Sequence, residues 1–161
     1  MNDHDRTHLT RCVELAEQAL RSGNDPFGSL LVSPAGEVLF EDHNRTASGD
    51  ATQHPEFAIA RWAASHLTLE ERAGATVYTS GEHCPMCSAA HGWVGLGRIV
   101  YASSAAQLTA WLEAFGASPA PVNPLPIGAV LREATVEGPD PALSERVREL
   151  HRQNAERSPG P

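Results

Sequence analysis

The sequence predicts an α/β fold, with helices packed on a sheet of short strands. Two observations carry that prediction. The first half holds a strand–turn–strand pattern between residues 27 and 40, a hairpin. The middle of the chain then alternates helical apolar periodicity with short β-branched runs, giving β-α-β-α-β through residue 102. A length of 161 residues suits one domain, read here as 1–156 with a mobile tail at 157–161.

The elements follow in order. Residues 7–22 read as an amphipathic helix, because Leu9, Cys12, Val13, Ala16, Ala19 and Leu20 recur at helical spacing between Arg11, Glu14, Glu17 and Arg21. Cys12 on that apolar face reads as a small buried hydrophobe. Gly23-Asn24-Asp25-Pro26 ends the helix. Phe27–Val32 and Glu37–Phe40 are the hairpin strands around Ser33-Pro34-Ala35-Gly36. Residues 41–53 are polar and turn-rich, a loop containing Asn44.

From His54 to Leu67 the pattern is helical, and Pro55 suits the first turn, where its missing N–H costs nothing. Thr68–Gly74 reads as a polar connector and Ala75–Ser80 as a strand. A third helix runs from Cys84 to about Val94 and ends at Gly95-Leu96-Gly97. Ile99–Ala102 is another strand, and Ala105–Phe115 a helix with Leu108, Trp111, Leu112 and Phe115 on one face. Pro119, Pro121, Pro124 and Pro126 make 116–128 an extended connection. Val130–Val136 reads as a last strand, and Pro141 to about Asn154 as a surface helix with Leu143, Val147 and Leu150 inward. The acidic residues over 133–149 read as a solvated face.

Composition narrows the function. The net charge of −8 argues against a large nucleic-acid footprint, which needs clustered Lys and Arg. No apolar run is long enough to span a bilayer, and residues 1–20 lack a signal-peptide core, so a cytoplasmic protein is expected. Three cysteines, two of them in Cys84-x-x-Cys87, read as metal or redox chemistry rather than a disulfide framework.

Two stretches carry that chemistry, His54-Pro55-Glu56 and Cys84-Pro85-Met86-Cys87. One imidazole and two thiols match the softness that Zn2+ prefers, and three protein ligands leave the fourth position open, as in a catalytic site. Cys84 and Cys87 are three apart and share one helix face. Both motifs open helices, and the positive end of the helix dipole favours thiolates. Zinc lowers the pKa of water from ~15.7 to roughly 7. Glu56, two residues from His54, is the candidate proton shuttle, a general base and then a general acid. A ring carbon bearing an amino group is a fitting electrophile. On their own the two cysteines would equally suit a redox or structural zinc site, and Glu56 a solvated helix position.

His54-x-Glu56 followed by Cys84-x-x-Cys87 resembles the zinc-dependent cytidine deaminase superfamily. Asp25-Pro26-Phe27-Gly28, Asn44 and Val77-Tyr78-Thr79-Ser80-Gly81-Glu82 are similar to its guanine deaminase and tRNA adenosine deaminase branch. The resemblance covers about residues 7–115. It implies a three-layer α/β/α sandwich around a five-stranded mixed sheet, and a homodimer. It implies His54, Cys84 and Cys87 as metal ligands, Glu56 as the catalytic acid–base, Asn44 as a hydrogen-bonding partner of the base and Phe27 as a pocket aromatic. The implied reaction is hydrolytic deamination of a free nucleobase or nucleoside, such as guanine or cytosine, with release of ammonia.

Three departures bear on this. His83 stands where the family usually has proline, the acidic stretch that guanine deaminases carry after the fourth strand is missing, and no basic tRNA-gripping run is present. The rival readings are a tRNA adenosine deaminase and a non-catalytic zinc scaffold, the latter with His83 as a fourth ligand.

Overall fold

The computed structural model describes residues 1–157; the rest of the predicted tail, 158–161, lies outside the described residues. Helix α1 (Asp3–Arg21) leads into strands β1 (Gly28–Val32) and β2 (Val38–His43). Helices α2 (Pro55–His66) and α3 (Leu69–Gly74) precede β3 (Thr76–Gly81). Then come α4 (Pro85–Val94), β4 (Arg98–Ser103), α5 (Ala105–Ala114), α6 (Ile127–Val130), β5 (Val136–Glu137) and α7 (Pro141–Arg157).

The strands form one five-stranded mixed sheet in the order β2-β1-β3-β4-β5. β1 is antiparallel to both β2 and β3, while β4 is parallel to β3 and to β5. Successive side chains point to opposite faces, so neighbours in sequence enter different cores. Leu30, Tyr78 and Val100 join Leu9, Cys12, Val13 and Ala16 of α1 and Leu143, Val147 and Leu150 of α7. Leu31 and Val77 join Ile59, Ala60 and Ala63 of α2 on the other face. That is the three-layer arrangement the resemblance implied. Every residue of β1 is buried, so it carries no polar alternation. Gly28 lets α1 lie directly on β1, since a Cβ there would sit 2.4 Å from Leu15 Cβ and 2.5 Å from the Cys12 carbonyl.

Several boundaries differ from the sequence reading, each for a local reason. α1 begins four residues earlier, because Asn2 and Asp5 form a reciprocal capping box. Asp5 also takes two bonds from Arg98, at 2.7 and 2.9 Å, and one from Tyr78. The Arg98 guanidinium holds its carboxyl well below the usual carboxylate range. β2 runs on to His43 through residues read as loop. The connector at 68–74 is mostly helix α3, capped by Thr68 and Glu71. The segment Ile127–Val130 is helix, which overlaps both the predicted extended connection and the predicted last strand. Only Val136–Glu137 of that region pairs with the sheet, against Ile99 and Val100. Asp140 is not solvated; it caps α7 through the Ala142 and Leu143 amides and receives Arg6. Trp93 on α4 is 91% exposed. Among the described residues no helix is long and apolar enough to cross a membrane.

Candidate active site

The two sequence motifs meet at the N-termini of α2 and α4. His54 and Cys84 each occupy the residue before a helix, in extended backbone, and Pro55 and Pro85 take the first helical turns. The fold brings these helix starts together on the α2 face of the sheet. His54 Nδ1 lies 3.6 Å from Cys84 Sγ and 3.6 Å from Cys87 Sγ. The three ligand atoms all fall within 4.8 Å of one another. A tetrahedral zinc with bonds of about 2.0 Å to nitrogen and about 2.3 Å to sulfur places such atoms about 3.5 Å apart. The donor set and its spacing therefore fit zinc. Cys87 is buried, and Cys84 is half-buried.

The loop that carries Cys84 is clamped from both sides. Glu82 accepts hydrogen bonds from the Ala105 amide at 2.8 Å and the Ile127 amide at 2.9 Å, so one carboxylate ties the starts of α5 and α6 to it. Its own amide donates to the Ser103 carbonyl at the end of β4. The hydrogen bond from Cys87, with His54 nearby, holds the Cys84 thiol down to about 5. That same pairing, together with burial, pushes Cys87 up. The Cys84 bond raises the His54 imidazole above its ordinary value.

Glu56 lies in the first turn of α2 and is only 6% exposed. Its Oε2 lies 3.7 Å from Cys87 Sγ. Its Oε1 lies 2.7 Å from Ser29 Oγ and 2.7 Å from Thr79 Oγ1. The carboxylate thus faces the ligand set with one oxygen and the sheet with the other.

Asn44 and Phe27 come from the neighbouring loops. The Asn44 amide donates to the Phe27 carbonyl at 2.9 Å. Asn44 is buried, and its Oδ1 accepts from the Thr46 amide and hydroxyl at 3.0 and 2.8 Å. Arg45 and Gln53 close this loop by a backbone bond, which sets Asn44 near the residues leading into His54. The Phe27 ring sits against Gly81, where a Cβ would be 3.1 Å from it, and packs edge-on against His151 of α7 at 5.0 Å.

His83 is not part of the ligand group among the described residues. It is buried edge-on against His91, 5.4 Å away, and burial pushes its imidazole down to about 4. Sequence reasoning missed Ser29, Thr79 and His151. Polar residues inside two strands otherwise rich in buried apolar side chains were the available signal for the first two. Nothing local marked His151, which lies 124 residues beyond Phe27 in the chain.

Residues 2–103 match the family described as the cytidine and deoxycytidylate deaminase zinc-binding region. The chain belongs to this family. A probable cytosine deaminase of Schizosaccharomyces pombe is 32% identical over 120 residues, covering 74% of this chain and 72% of the relative. A guanine deaminase of Bacillus subtilis is 34% identical over 98 residues, 60% of this chain and 63% of the relative. A tRNA-specific adenosine deaminase of Agrobacterium fabrum is 36% identical over 102 residues, 60% of this chain and 64% of the relative. The chain thus spans somewhat under two thirds of the latter two. Among solved structures, the Bacillus subtilis guanine deaminase superposes with a TM-score of 0.56 at 29% identity, covering 78% of this chain and 83% of that one. The guanine deaminase from Nitrosomonas europaea superposes with a TM-score of 0.68 at 22% identity, covering 92% and 83%, and speaks to the fold alone. Membership of this zinc-binding deaminase family and the His-Cys-Cys group together give a hydrolytic deaminase whose metal is zinc.

Proposed function

We propose that the protein hydrolytically deaminates a free nucleobase or nucleoside, with guanine, cytosine or a related amino-substituted ring as substrate. One observation carries the reading: a buried carboxylate, Glu56, presents one oxygen beside a three-ligand donor set that matches zinc. In this reading His54, Cys84 and Cys87 hold the ion. Zinc held there supplies a water acidified enough to attack at neutral pH.

The chain's own residues do the rest. Glu56 takes a proton from the attacking water at Oε2 and passes it to a ring nitrogen. It then takes the remaining proton from the hydroxyl now on the ring carbon and delivers it to the departing amine. The ring carbon gains oxygen, its C–N bond breaks and ammonia leaves. Asn44 offers its side-chain amide to the ring, and Phe27 supplies an apolar wall. Burial of Glu56 keeps bulk water from competing for the proton.

Relatives that deaminate cytosine and guanine support a small ring as substrate. The tRNA-specific relative supports an RNA substrate as the second reading. The charge of −8 favours the first, because tRNA binding needs a basic surface. Within this reading residues 1–156 form one deaminase domain that works in the cytoplasm as a homodimer.

The test is ammonia release from purified protein across guanine, cytosine, adenine and their nucleosides, with and without a chelator. Release from at least one free ring, abolished by the chelator, is the expected result. Turnover of tRNA adenosine with none of any free ring would replace this reading with the second.

A further inference from the structure

We propose that Ser29 and Thr79 are positioning residues for Glu56: they pin Oε1 and thereby commit Oε2 to the reacting ring. The inference rests on the proton-shuttle role given to Glu56 above. Its geometric basis stands independently of that role.

Ser29 and Thr79 are direct partners in the antiparallel β1–β3 register. Partners in such a pair project side by side from the same face of the sheet. Both are completely buried. Each hydroxyl lies 2.7 Å from the same oxygen, Glu56 Oε1, and they lie 2.9 Å from each other. Each has one proton to give, so both can be donated to that oxygen at once. Thr79 Oγ1 is also 2.9 Å from the Gly81 carbonyl, and Ser29 Oγ has no partner beyond Thr79 and Glu56 among the described residues. Two hydroxyls in the buried middle of a sheet lower stability unless they are satisfied. Here the carboxylate satisfies them.

The arrangement addresses a specific weakness of glutamate as a shuttle. Its side chain has three rotatable bonds, and its two oxygens are chemically alike. Helix α2 fixes only where the side chain begins. Two converging donors make the oxygens unequal, so Oε1 stays with the sheet and Oε2 faces Cys87 Sγ. A proton taken up on Oε2 is then released from Oε2, with no rotation of the carboxyl between the two transfers. Charge-assisted bonds from fixed hydroxyls are strong enough to hold that orientation.

The test uses Ser29→Ala, Thr79→Val, the double variant and the conservative Thr79→Ser in the full chain. Zinc content is measured first and should stay at the wild-type stoichiometry. Against the ring that wild type turns over, the double variant should lose roughly 100-fold in kcat with KM within about twofold, and Thr79→Ser should recover to within about threefold of wild type. A second readout needs no turnover. In denaturant unfolding of zinc-free protein, Ser29→Ala/Thr79→Val should lower the folding equilibrium constant at least about tenfold more in the Glu56 protein than in a Glu56→Ala background.

An undiminished kcat in the double variant overturns the proposal, as does a rise in KM at constant kcat. Equal stability losses in the two backgrounds overturn it as well. Should no ring be turned over by wild type, the deaminase reading fails, and the unfolding cycle still decides whether the hydroxyls act through Glu56. Should the double variant not fold, Thr79→Val against Thr79→Ser carries both readouts.

Discussion

Replacing Glu56 with glutamine isolates the proton chemistry from the architecture. The carboxylate is anchored by two hydroxyls, each 2.7 Å from Oε1. The glutamine carbonyl oxygen can accept both of these bonds, which turns the amide NH2 toward Cys87, where Oε2 now lies 3.7 Å from sulfur. Shape, burial and the anchoring bonds survive. Only the ability to take up a proton is lost.

A positioned general acid–base contributes about 10²–10⁴-fold to rate. In the proposed reaction one carboxylate serves both proton transfers, so the loss should sit near the top of that range, about 10⁴-fold or about 5.5 kcal/mol of barrier. Stability should change by no more than about 1 kcal/mol, because no cavity and no unpaired donor is created on the sheet side. The assay is ammonia release at saturating substrate, paired with zinc content by elemental analysis and with thermal unfolding. Full zinc, an unchanged midpoint and loss of turnover are expected. A Glu56→Gln protein that keeps zinc and works within tenfold of wild type would refute the shuttle role. Loss of zinc from it would mean that Glu56 supports the ligand set instead.

The other predictions concern the metal and acid stability. Cys87→Ala should remove bound zinc and lower the thermal midpoint, since the buried Sγ is one of the three donors grouped among the described residues (elemental analysis and a melting curve check it). Acid should destabilise the protein through His151, whose imidazole burial pushes down to about 4. Its unfolded value is about 6.5, so the unfolded chain binds the extra proton between these limits. The contribution is complete above about pH 6.5 and is lost as pH falls toward 4, by up to about 3 kcal/mol. His151→Leu should flatten this part of the stability–pH curve relative to wild type, measured by denaturant titration across that range.

Much of the site was legible because its chemistry is local. Cys84 and Cys87 share a helix face by spacing alone, and prolines at the helix starts announce where α2 and α4 begin. The alternation of strands and helices gave the α/β class, and the sheet has that make-up. Short elements were harder. The six residues of α3 have no buried face to set a periodicity, and only the Thr68–Glu71 capping pair marked them. Ile127–Val130 follows a run of prolines and shows a single turn, too brief for a pattern.

The sequence alone determined the types of the candidate metal donors, the acid beside them and the class of the fold, because each depends on residue chemistry or on spacing within one element. Tertiary structure decided which oxygen of Glu56 faces the ligands and which side chains hold it there. Ser29 and Thr79 reach that carboxylate across 27 and 23 residues of chain, and only strand pairing brings them together. His151 meets Phe27 because α7 folds back over the sheet beside α1. Long-range pairing of this kind follows from how two faces of a sheet are covered, which no short stretch of sequence specifies.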